Sequence, residues 1–348
     1  MERKTLYDIS WQVSEEEYRA DKAYSYSTIS KFNREGFDNI GKLFDRVESP
    51  SLLFGSMVDS LLTGGQEEFD ERFEVAELPD ISDTLSEISR TLFNQYGELY
   101  RSLDLIPDSI IAQVGEEAKY YAGSKYTSFR VKKIKESCTD YYNLLSISSG
   151  KTLVSNKEYQ DALYCVEALK TNNYTKWYFA PNSIFEPNIE RFYQLKFKGT
   201  WQGIPLRIMA DLIIVDHDNK VIVPCDLKTS SKKEWSFHKS FVDWGYWIQA
   251  QLYWYIIRQN LDKDDLYKDY ELLDYRFIVA NRYNKKPLVW EYPDTKSTQD
   301  CFYGKNNQII CRNWRNIVQD LNYYLTCTPE YPIGIVELNN IVTWLNKE

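Results

Sequence analysis

Three runs of β-branched and aromatic residues follow one another between Ile189 and Thr229, and they constrain the fold more than any other feature of the chain. They read IERFYQLKF, PLRIMADLIIV and KVIVPCDLKT. Short apolar runs bounded by turn-forming residues predict β-strands. Turn residues stand at Lys198-Gly199 and at positions 216–219, so we expect successive hairpins. The runs YRFIVA and LVWEY farther along predict two more strands and hence an α/β fold with a central sheet.

Two acidic residues lie within the second of these hairpins. If its turn is centred on residues 217–218, Asp211 lies opposite Pro224 and diagonal to Asp226. Residues two apart in a strand share a face, so Asp211, Asp226 and Lys228 are expected on one side of the sheet. Diagonal neighbours lie ~7–8 Å apart, a separation that two carboxylates can bridge through one cation.

Two carboxylates next to apolar strands repel each other and are costly to bury unless a cation lies between them. Ligands that are all oxygen, with no His or Cys nearby, suit Mg²⁺ or Mn²⁺ and not zinc. Lys228 beside such a metal can hold or deprotonate an attacking water and offset charge that develops on phosphorus. The alternative for a D-x-K sequence on a strand is an exposed edge with a surface ion pair.

The N-terminal part of the chain contains signals for short helices. Ser14 with Glu17 forms a capping box, and YSYSTISKFN at residues 24–33 reads as a serine-capped turn entering a helix. Ser25, Ser27 and Thr28 would cap this helix or, at its N-terminus, grip a terminal phosphate. The run SLLFGSMVDSLL at 51–62 predicts a buried helix with Gly55 and Asp59 on one face.

Helical patterns dominate residues 82–180, which we interpret as a helical insertion or arm within a single domain. The clearest helix begins at a capping box formed by Ser155 and Glu158. A basic cluster in this stretch either faces a phosphate backbone or forms a solvated surface, the latter being the more common case; its members are Arg130, Lys132, Lys133 and Lys135. A further helix is expected between the third and fourth strands, roughly 242–259, and a last one over 306–325.

Composition excludes several kinds of chemistry. Only two histidines are present, His217 and His238, so catalysis by a His nucleophile or by several His ligands is poorly supported. The six cysteines lack CxxC spacing, which predicts neither a zinc site nor a disulfide framework. A formal net charge of −9 argues against sequence-independent coating of nucleic acid, although a local basic groove can coexist with an acidic exterior.

The carboxylates and the lysine resemble the signature of a known nuclease superfamily. Asp211, fourteen intervening residues and then Asp226-Leu227-Lys228 are similar to the PD-(D/E)XK motif. Downstream, YWIQAQLYWY places Gln249 and Tyr253 at a QxxxY spacing, four residues apart on one helical face. That spacing resembles RecE-like, lambda-exonuclease-like and RecB-type nucleases. LLFGSMVDSLL is similar to the FGxxxHxxL helix of RecE-like phage nucleases, and IER to their acidic strand. The similarity spans roughly residues 24–255.

This resemblance implies a mixed central β-sheet flanked by helices and a role for each matched residue. Asp211, Asp226 and the main-chain carbonyl of Leu227 would bind the metal, and Lys228 would be the catalytic lysine. Glu190 would support a metal or its waters. Gln249 and Tyr253 would orient the lysine or contact the DNA backbone. Asp59 stands where the related helix carries His, so it enters as a candidate ligand without a settled role. From their residues alone, Gln249 and Tyr253 also fit a helix interior, and Glu190 and Asp59 fit solvated surfaces.

The resemblance also implies an activity and partners. The expected protein is a Mg²⁺-dependent exonuclease that degrades one strand from an end of double-stranded DNA, 5′ to 3′, in phage recombination. Its expected partners are DNA ends, a single-strand annealing or single-strand-binding protein, and further copies of itself. The alternatives are an inactive nuclease-fold DNA-binding or scaffold protein and a PD-(D/E)XK endonuclease. We expect one nuclease domain over 1–348, with its catalytic core in 24–75 and 181–295.

The expected location is the cytoplasm, which would be that of the host for a phage protein. The N-terminus is polar, and nowhere do apolar residues continue for the ~18 positions that a membrane helix needs. No GxxxxGK[ST] phosphate loop is present, so an ATP-driven motor in the same chain is not expected. Cys301, Cys311 and Cys327 lack the spacing of the iron–sulfur relatives, which predicts no cluster.

Overall fold

The computed structural model describes residues 3–36, 40–45, 49–148, 150–183, 186–300, 302–303 and 309–327. They divide into two compact units, the first formed by Met1–Gly55 with Cys165–Glu348 and the second by Ser56–Tyr164. The expected helical insertion over 82–180 overlaps the second unit but begins and ends later. Its assignment within a single nuclease domain stays a prediction.

Eleven α-helices lie in the part of the chain that the structure describes. They are α1 Glu15–Ala20, α2 Tyr26–Glu35, α3 Pro50–Thr63, α4 Gly65–Arg72, α5 Asp83–Tyr96, α6 Asp108–Glu117, α7 Thr127–Ile147, α8 Asn156–Thr171, α9 Phe237–Trp244, α10 Tyr246–Leu261 and α11 Trp314–Cys327. None of these described helices has the length and apolar character needed to cross a bilayer. Short 3-10 helices occur at Leu6–Ile9, Ile40–Lys42, Leu103–Leu105, Ser124–Tyr126 and Glu234–Ser236.

Ten β-strands accompany these helices among the described residues. They are β1 Phe73–Ala76, β2 Thr152–Ser155, β3 Ile189–Trp201, β4 Ile204–Asp216, β5 Val221–Ser230, β6 Glu271–Leu272, β7 Tyr275–Asn281, β8 Leu288–Tyr292, β9 Phe302–Tyr303 and β10 Ile309–Cys311. Six form a mixed sheet in the order β3-β4-β5-β7-β8, with β6 also paired to β5. The pairing of β5 with β7 is parallel, and β3-β4, β4-β5 and β7-β8 are antiparallel. The expected mixed α/β architecture is therefore present.

The core of the first unit lies between this sheet and its helices. Alternate residues of β4, such as Ile213 and Val215, are fully buried together with residues of α10 such as Ile256 and Ile257. Helix α10 contacts β3, β4 and β7. Because it is apolar on most of its surface, α10 is covered on several sides, and its polar side chains Gln249 and Gln251 are buried.

The turn expected at Lys198-Gly199 is not there, because β3 continues to Trp201. The chain reverses instead at Gln202 and Gly203, whose φ values of 48° and 79° are typical of a tight two-residue hairpin turn. A Cβ on Gly199 would lie only 2.6 Å from Gln259 Oε1 on α10. The glycine therefore marks a close approach of strand and helix, which a sequence does not distinguish from a turn.

The predicted helix over 242–259 is two helices. Gly245, with φ 68° and ψ 41°, lies in the left-handed region and separates α9 from α10. The last helix begins at Trp314, and residues 309–311 form a strand where a helix was expected; the first part of that expectation, 306–308, lies outside the described residues. Both predicted capping boxes are present, Ser14 with Glu17 and Ser155 with Glu158.

In the second unit, the residues of the basic cluster form ion pairs with neighbouring acidic residues and hydrogen bonds with backbone carbonyls. Arg130 is buried, donates a hydrogen bond to the Ala112 carbonyl and pairs with Glu116. Lys135 pairs with Asp108, and both Lys132 and Lys133 reach Glu136. Arg130 therefore stabilises the packing of α6 on α7, and the surrounding lysines form the solvated, ion-paired face that was the common alternative.

Candidate active site at the β4–β5 edge

The β4-β5 ladder brings Asp211 beside Asp226, though not in the expected register. The observed pairs run from Asp216 opposite Val221 to Leu212 opposite Cys225, so the next positions are Asp211 and Asp226. The turn occupies residues 217–220 because the Asp216 side chain accepts hydrogen bonds from the N–H groups of residues 218 and 219. The register differs from the expected one by two residues. An even shift keeps every side chain on its expected face.

Asp211 is fixed by the backbone of the neighbouring strand. The main-chain N–H of Leu227 donates a 2.9 Å hydrogen bond to Asp211 Oδ2. In β3, Tyr193 pairs with Leu212 and Leu195 pairs with Ala210, so Gln194 stands opposite Asp211. Gln194 has a φ of 53°, a left-handed conformation that is strained for a non-glycine residue and is found preferentially at functional sites.

Asp226 is almost completely buried, with 1% of its surface exposed. Gln249 Nε2 on α10 donates a hydrogen bond to Asp226 Oδ1. Asp226 Oδ2 forms an ion pair with Lys228, whose Nζ lies 2.5 Å away. Burying a carboxylate is costly even when it is paired, and the second carboxylate beside it adds a repulsion that a cation between the two would relieve.

Lys228 is held between carboxylate and aromatic side chains. Its ammonium lies 4.9 Å from the centre of the Tyr246 ring at the start of α10. Burial alone would lower the pKa of Lys228, but Asp226, Tyr246 and Asp211 outweigh burial and raise it. With both carboxylates charged, Lys228 is therefore an ammonium, which can donate hydrogen bonds but cannot accept a proton.

Two tyrosines that the sequence analysis did not identify, Tyr26 and Tyr246, lie near Lys228. Tyr246 is the first residue after Gly245, and Tyr26 is the first residue of α2. The Tyr26 hydroxyl donates a 2.8 Å hydrogen bond to the Trp244 carbonyl. Burial raises the pKa of Tyr26, and the nearby Lys228 opposes this shift. The serines around Tyr26 indicated a helix start, and Tyr246 lay inside a predicted helix. Neither pattern indicated that these two tyrosines lie near the carboxylates.

The two α10 residues of the QxxxY spacing are both buried. Gln249 contacts the carboxylate of Asp226 and not the lysine. Tyr253 packs its ring edge-on against Tyr275 at 6.0 Å between centroids. Burial raises the pKa of Tyr253, and Tyr18, Asp226 and Asp211 add to the effect, so the phenol stays neutral. The expected roles of Gln249 and Tyr253, to orient Lys228 or contact the DNA backbone, stay predictions.

Glu190 does not join the carboxylate pair. It lies opposite Val215, four positions along β4 from Asp211, or ~13 Å at the usual rise of a strand. Its Oε2 lies 2.8 Å from His217 Nε2, and His217 Nδ1 lies 2.8 Å from the Tyr270 hydroxyl. His217 thus links this carboxylate to Tyr270 near the other end of the hairpin, and the expected role of Glu190 as a metal-supporting residue stays a prediction.

Three further candidates from the sequence are Asp59, the Leu227 carbonyl and the serine-rich start of α2. Asp59 lies in α3 within the second unit, half-buried, and its role as a ligand stays a prediction. So does the role of the Leu227 carbonyl. Ser25 is the residue before α2, but its hydroxyl contacts those of Ser27 and Thr28, at 2.8 and 3.2 Å, and does not cap the helix backbone.

The described residues contain no group of three or more His, Cys, Asp or Glu side chains arranged to hold a metal ion. The two carboxylates at the β4-β5 edge are thus a pair and not a larger cluster. Four cysteine side chains are buried, namely Cys138, Cys165, Cys225 and Cys311. Cys301 and the side chain of Cys327 lie outside the described residues.

No family model and no curated protein matches the chain. Among solved structures, the chain is similar to the crystal structure of a "Putative exonuclease" from Eubacterium rectale. The two are 15% identical, the match covers 95% of this chain and 87% of that chain, and the TM-score is 0.41. A likeness at this level carries no argument about activity, so the function below rests on the residues themselves.

Proposed function

We propose that this protein is a metal-dependent DNA nuclease of the PD-(D/E)XK type, with Asp211, Asp226 and Lys228 at its centre. The observation that carries the proposal is the state of Asp226. It is buried in a central strand beside a second carboxylate, accepts a hydrogen bond from Gln249 through Oδ1 and forms an ion pair with Lys228 through Oδ2. Two neighbouring carboxylates repel each other and Lys228 carries only one positive charge, so a divalent cation between Asp211 and Asp226 would balance the remaining charge.

The donor set fits Mg²⁺ or Mn²⁺. Both side chains offer carboxylate oxygen, and Cys225, which precedes Asp226 in β5, projects to the opposite face of the sheet. Mg²⁺ keeps several waters and is commonly bound by one or two carboxylates together with substrate phosphate, so a pair suffices where a three-residue cluster is absent. Asp211 and Asp226 would hold the ion, which would supply charge stabilisation for phosphodiester hydrolysis.

Lys228 contributes as a cation in this proposal. Its ammonium donates to a phosphate oxygen or positions the attacking water, and it offsets negative charge as the phosphorus centre reacts. The role of proton acceptor expected from the sequence requires a neutral amine; the carboxylates raise the pKa of Lys228, and a cation bound to them would oppose that shift. Tyr246 limits where the ammonium can move.

The finer assignment is to an exonuclease acting on ends of double-stranded DNA, in the 5′ to 3′ direction, within phage recombination. It rests on the resemblance of the Asp226-Leu227-Lys228 and Gln249/Tyr253 patterns to RecE-like nucleases. The same resemblance supports assembly with further copies of the chain, cooperation with a single-strand annealing or single-strand-binding protein, and a cytoplasmic setting.

Digestion of end-labelled linear duplex and of covalently closed circular duplex, with Mg²⁺ and with EDTA, tests both levels of the proposal. We expect Mg²⁺-dependent loss of the linear duplex and an intact circle, with no cleavage by Asp226→Asn. Cleavage of the circle would replace the exonuclease by an endonuclease. Absence of cleavage of any duplex by the folded protein, with Mn²⁺ also tried, would refute the nuclease assignment.

A further inference from the structure

Three large aromatic side chains of the first unit are exposed in the segments that follow β5 and β7. Trp235 is 69% exposed, Tyr283 is 62% exposed and Trp244 is 51% exposed. Large exposed aromatic surface close to a functional site is typical of a binding surface.

Cations accompany these rings. Lys233 Nζ lies 5.1 Å from the centre of the Trp235 ring and 6.0 Å from that of Tyr283. The Arg34 guanidinium lies 5.2 Å from the Trp244 ring. Lys233, Trp235 and Tyr283 form one group before α9, and Arg34 with Trp244 forms a second group at the end of α9; together we call these five residues the aromatic surface. Each ring therefore has a cation within one side-chain length, so one nucleotide can meet a ring with its base and a cation with its phosphate.

The local charge of these segments is opposite to that of the whole chain. Residues 231–244 and 281–287 together contain six Lys or Arg and two Asp or Glu, whereas the chain has a formal net charge of −9. One of the two acids, Asp243, pairs with Lys232 at 3.4 Å. Phosphate binding depends on the local excess of cations and not on the net charge of the protein.

Backbone contacts place the aromatic surface next to the candidate active site. Ser230 at the end of β5 pairs with Asn281 at the end of β7, and Asn281 Nδ2 donates a 3.1 Å hydrogen bond to the Lys232 carbonyl. Lys233 and Trp235 thus extend from the strand end only a few residues beyond Lys228. On the other side, Tyr26 OH donates a hydrogen bond to the Trp244 carbonyl.

We infer that the aromatic surface binds single-stranded nucleic acid by stacking bases on Trp235, Tyr283 and Trp244 while the adjacent cations contact phosphates. Bases are available for stacking only where they are unpaired, so this surface takes the single-stranded portion of a substrate. The inference deepens the proposed nuclease function and rests on it for the identity of the ligand. It assigns this surface a task distinct from that of Asp211 and Asp226.

Two probes of equal length and charge separate stacking from electrostatics. One is a short fluorescent oligothymidylate, and the other is an abasic oligonucleotide with the same number of phosphates. Anisotropy titrations with the full chain are carried out in EDTA, and the probe is checked for integrity afterwards. We expect the full chain to bind the oligothymidylate more tightly than the abasic probe, because only the former offers rings to stack.

Trp235→Ala should weaken oligothymidylate binding about tenfold, the scale for losing one stacked base, while abasic binding stays nearly unchanged. Trp235→Phe should retain most of the affinity, since a smaller ring still stacks. Tyr174→Ala is the matched control, because Tyr174 is 81% exposed in the same unit and lies outside the aromatic surface. It should bind both probes as the parent chain does.

Equal binding of both probes by the parent chain, or an equal loss for both probes in Trp235→Ala, would overturn stacking in favour of electrostatics or misfolding. Dissociation of an oligomer by Trp235→Ala without loss of oligothymidylate binding would assign the surface to contacts between copies of the chain and also overturn the inference. The cleavage assay is independent. A chain that binds oligothymidylate through Trp235 but cleaves no duplex would leave the inference standing and remove the nuclease assignment alone.

Discussion

The main-chain N–H of Leu227 donates a hydrogen bond to Asp211 Oδ2, so a carboxylate of β4 holds the backbone of β5 immediately after Asp226. This contact takes the place of a ladder bond beyond the last observed pair, Leu212 with Cys225. It fixes Asp211 relative to Asp226 through the backbone of the neighbouring strand. Asp211 therefore has a structural as well as a proposed chemical task.

Two substitutions of Asp211 distinguish its hydrogen bond to the Leu227 N–H from its proposed role in binding the metal. Asp211→Asn keeps an oxygen that accepts the Leu227 N–H, so we expect near-normal stability together with a loss of Mg²⁺-dependent cleavage of ~10²-fold or more. Asp211→Ala also removes the acceptor and should lower the free energy of unfolding by about 1–3 kcal/mol. Urea denaturation and duplex cleavage of both variants test this. Normal cleavage by Asp211→Asn would exclude the carboxylate from the reaction.

Gln249 is expected to act as a positioning residue through Asp226. Gln249→Leu removes the hydrogen bond to Asp226 Oδ1, which should reduce stability by about 1–3 kcal/mol and raise the Mg²⁺ concentration needed for half-maximal cleavage. Gln251→Leu is the matched control. Gln251 is equally buried on α10, but its amide donates to the Asp294 carbonyl and to Tyr292 OH.

Gln251→Leu should therefore cost a similar amount of stability without changing the Mg²⁺ requirement. If both variants change the Mg²⁺ requirement equally, the effect comes from general loosening of α10, and Gln249 has no particular relation to the metal site.

Glu190→Gln should leave cleavage close to that of the parent chain. Its carboxylate contacts His217 near the far end of the β4-β5 hairpin, and a Gln amide can maintain a hydrogen bond there. Initial cleavage rates of Glu190→Gln and Asp226→Asn under the same Mg²⁺ concentration provide the comparison. A fall of ~10²-fold or more in Glu190→Gln would support the role that its strand first suggested.

The strands and their faces follow from the sequence because side chains alternate along a strand, and a register error of two residues does not alter that alternation. The register itself depended on Asp216, whose side chain accepts backbone N–H groups and lengthens the turn. Asp, Asn and Ser favour many turn types, so their presence predicts a turn but not its length. The expected geometry of Asp211 and Asp226 was therefore approximate.

Contacts between distant elements were less accessible to prediction. The four-residue spacing of Gln249 and Tyr253 predicts a shared helical face but does not specify what that face meets. That Gln249 donates to Asp226 depends on where Gly245 ends one helix and starts the next. The strained φ of Gln194 has no sequence signal, since Gln is not a residue that favours the left-handed region.

A pH-dependent stability is expected from Asp320 in α11. Burial raises the pKa of Asp320 to about 6, and the neighbouring Arg312 only partly opposes the shift. Because the folded protein binds this proton more tightly than the unfolded chain, stability from this group falls as pH rises from the ordinary value of 3.8 through about 6. The change is on the order of 2–3 kcal/mol.

Asp320→Asn removes this titration. Relative to the parent chain, the variant should gain stability between about pH 4 and about pH 7, as measured by urea denaturation. A stability difference that stays constant over this range would show that Asp320 ionises as easily in the folded as in the unfolded chain.

Substitution of Lys228 is the sharpest test of whether the protein is an enzyme or only a DNA-binding protein. Lys228→Met keeps much of the apolar stem beside Tyr246 and removes the charge, so we expect the cleavage rate to fall by ~10²-fold or more. Metal binding should persist, because an ammonium is not a ligand and its removal lessens repulsion toward a cation. DNA binding in Ca²⁺ should change modestly, since one phosphate contact among several is lost.

Lys232→Met is the control, because Lys232 lies four residues farther along the chain and pairs with Asp243. Near-normal binding with almost no cleavage by Lys228→Met alone would place the lysine in the reaction. Unchanged cleavage would remove it, and with it the assignment to the PD-(D/E)XK nucleases.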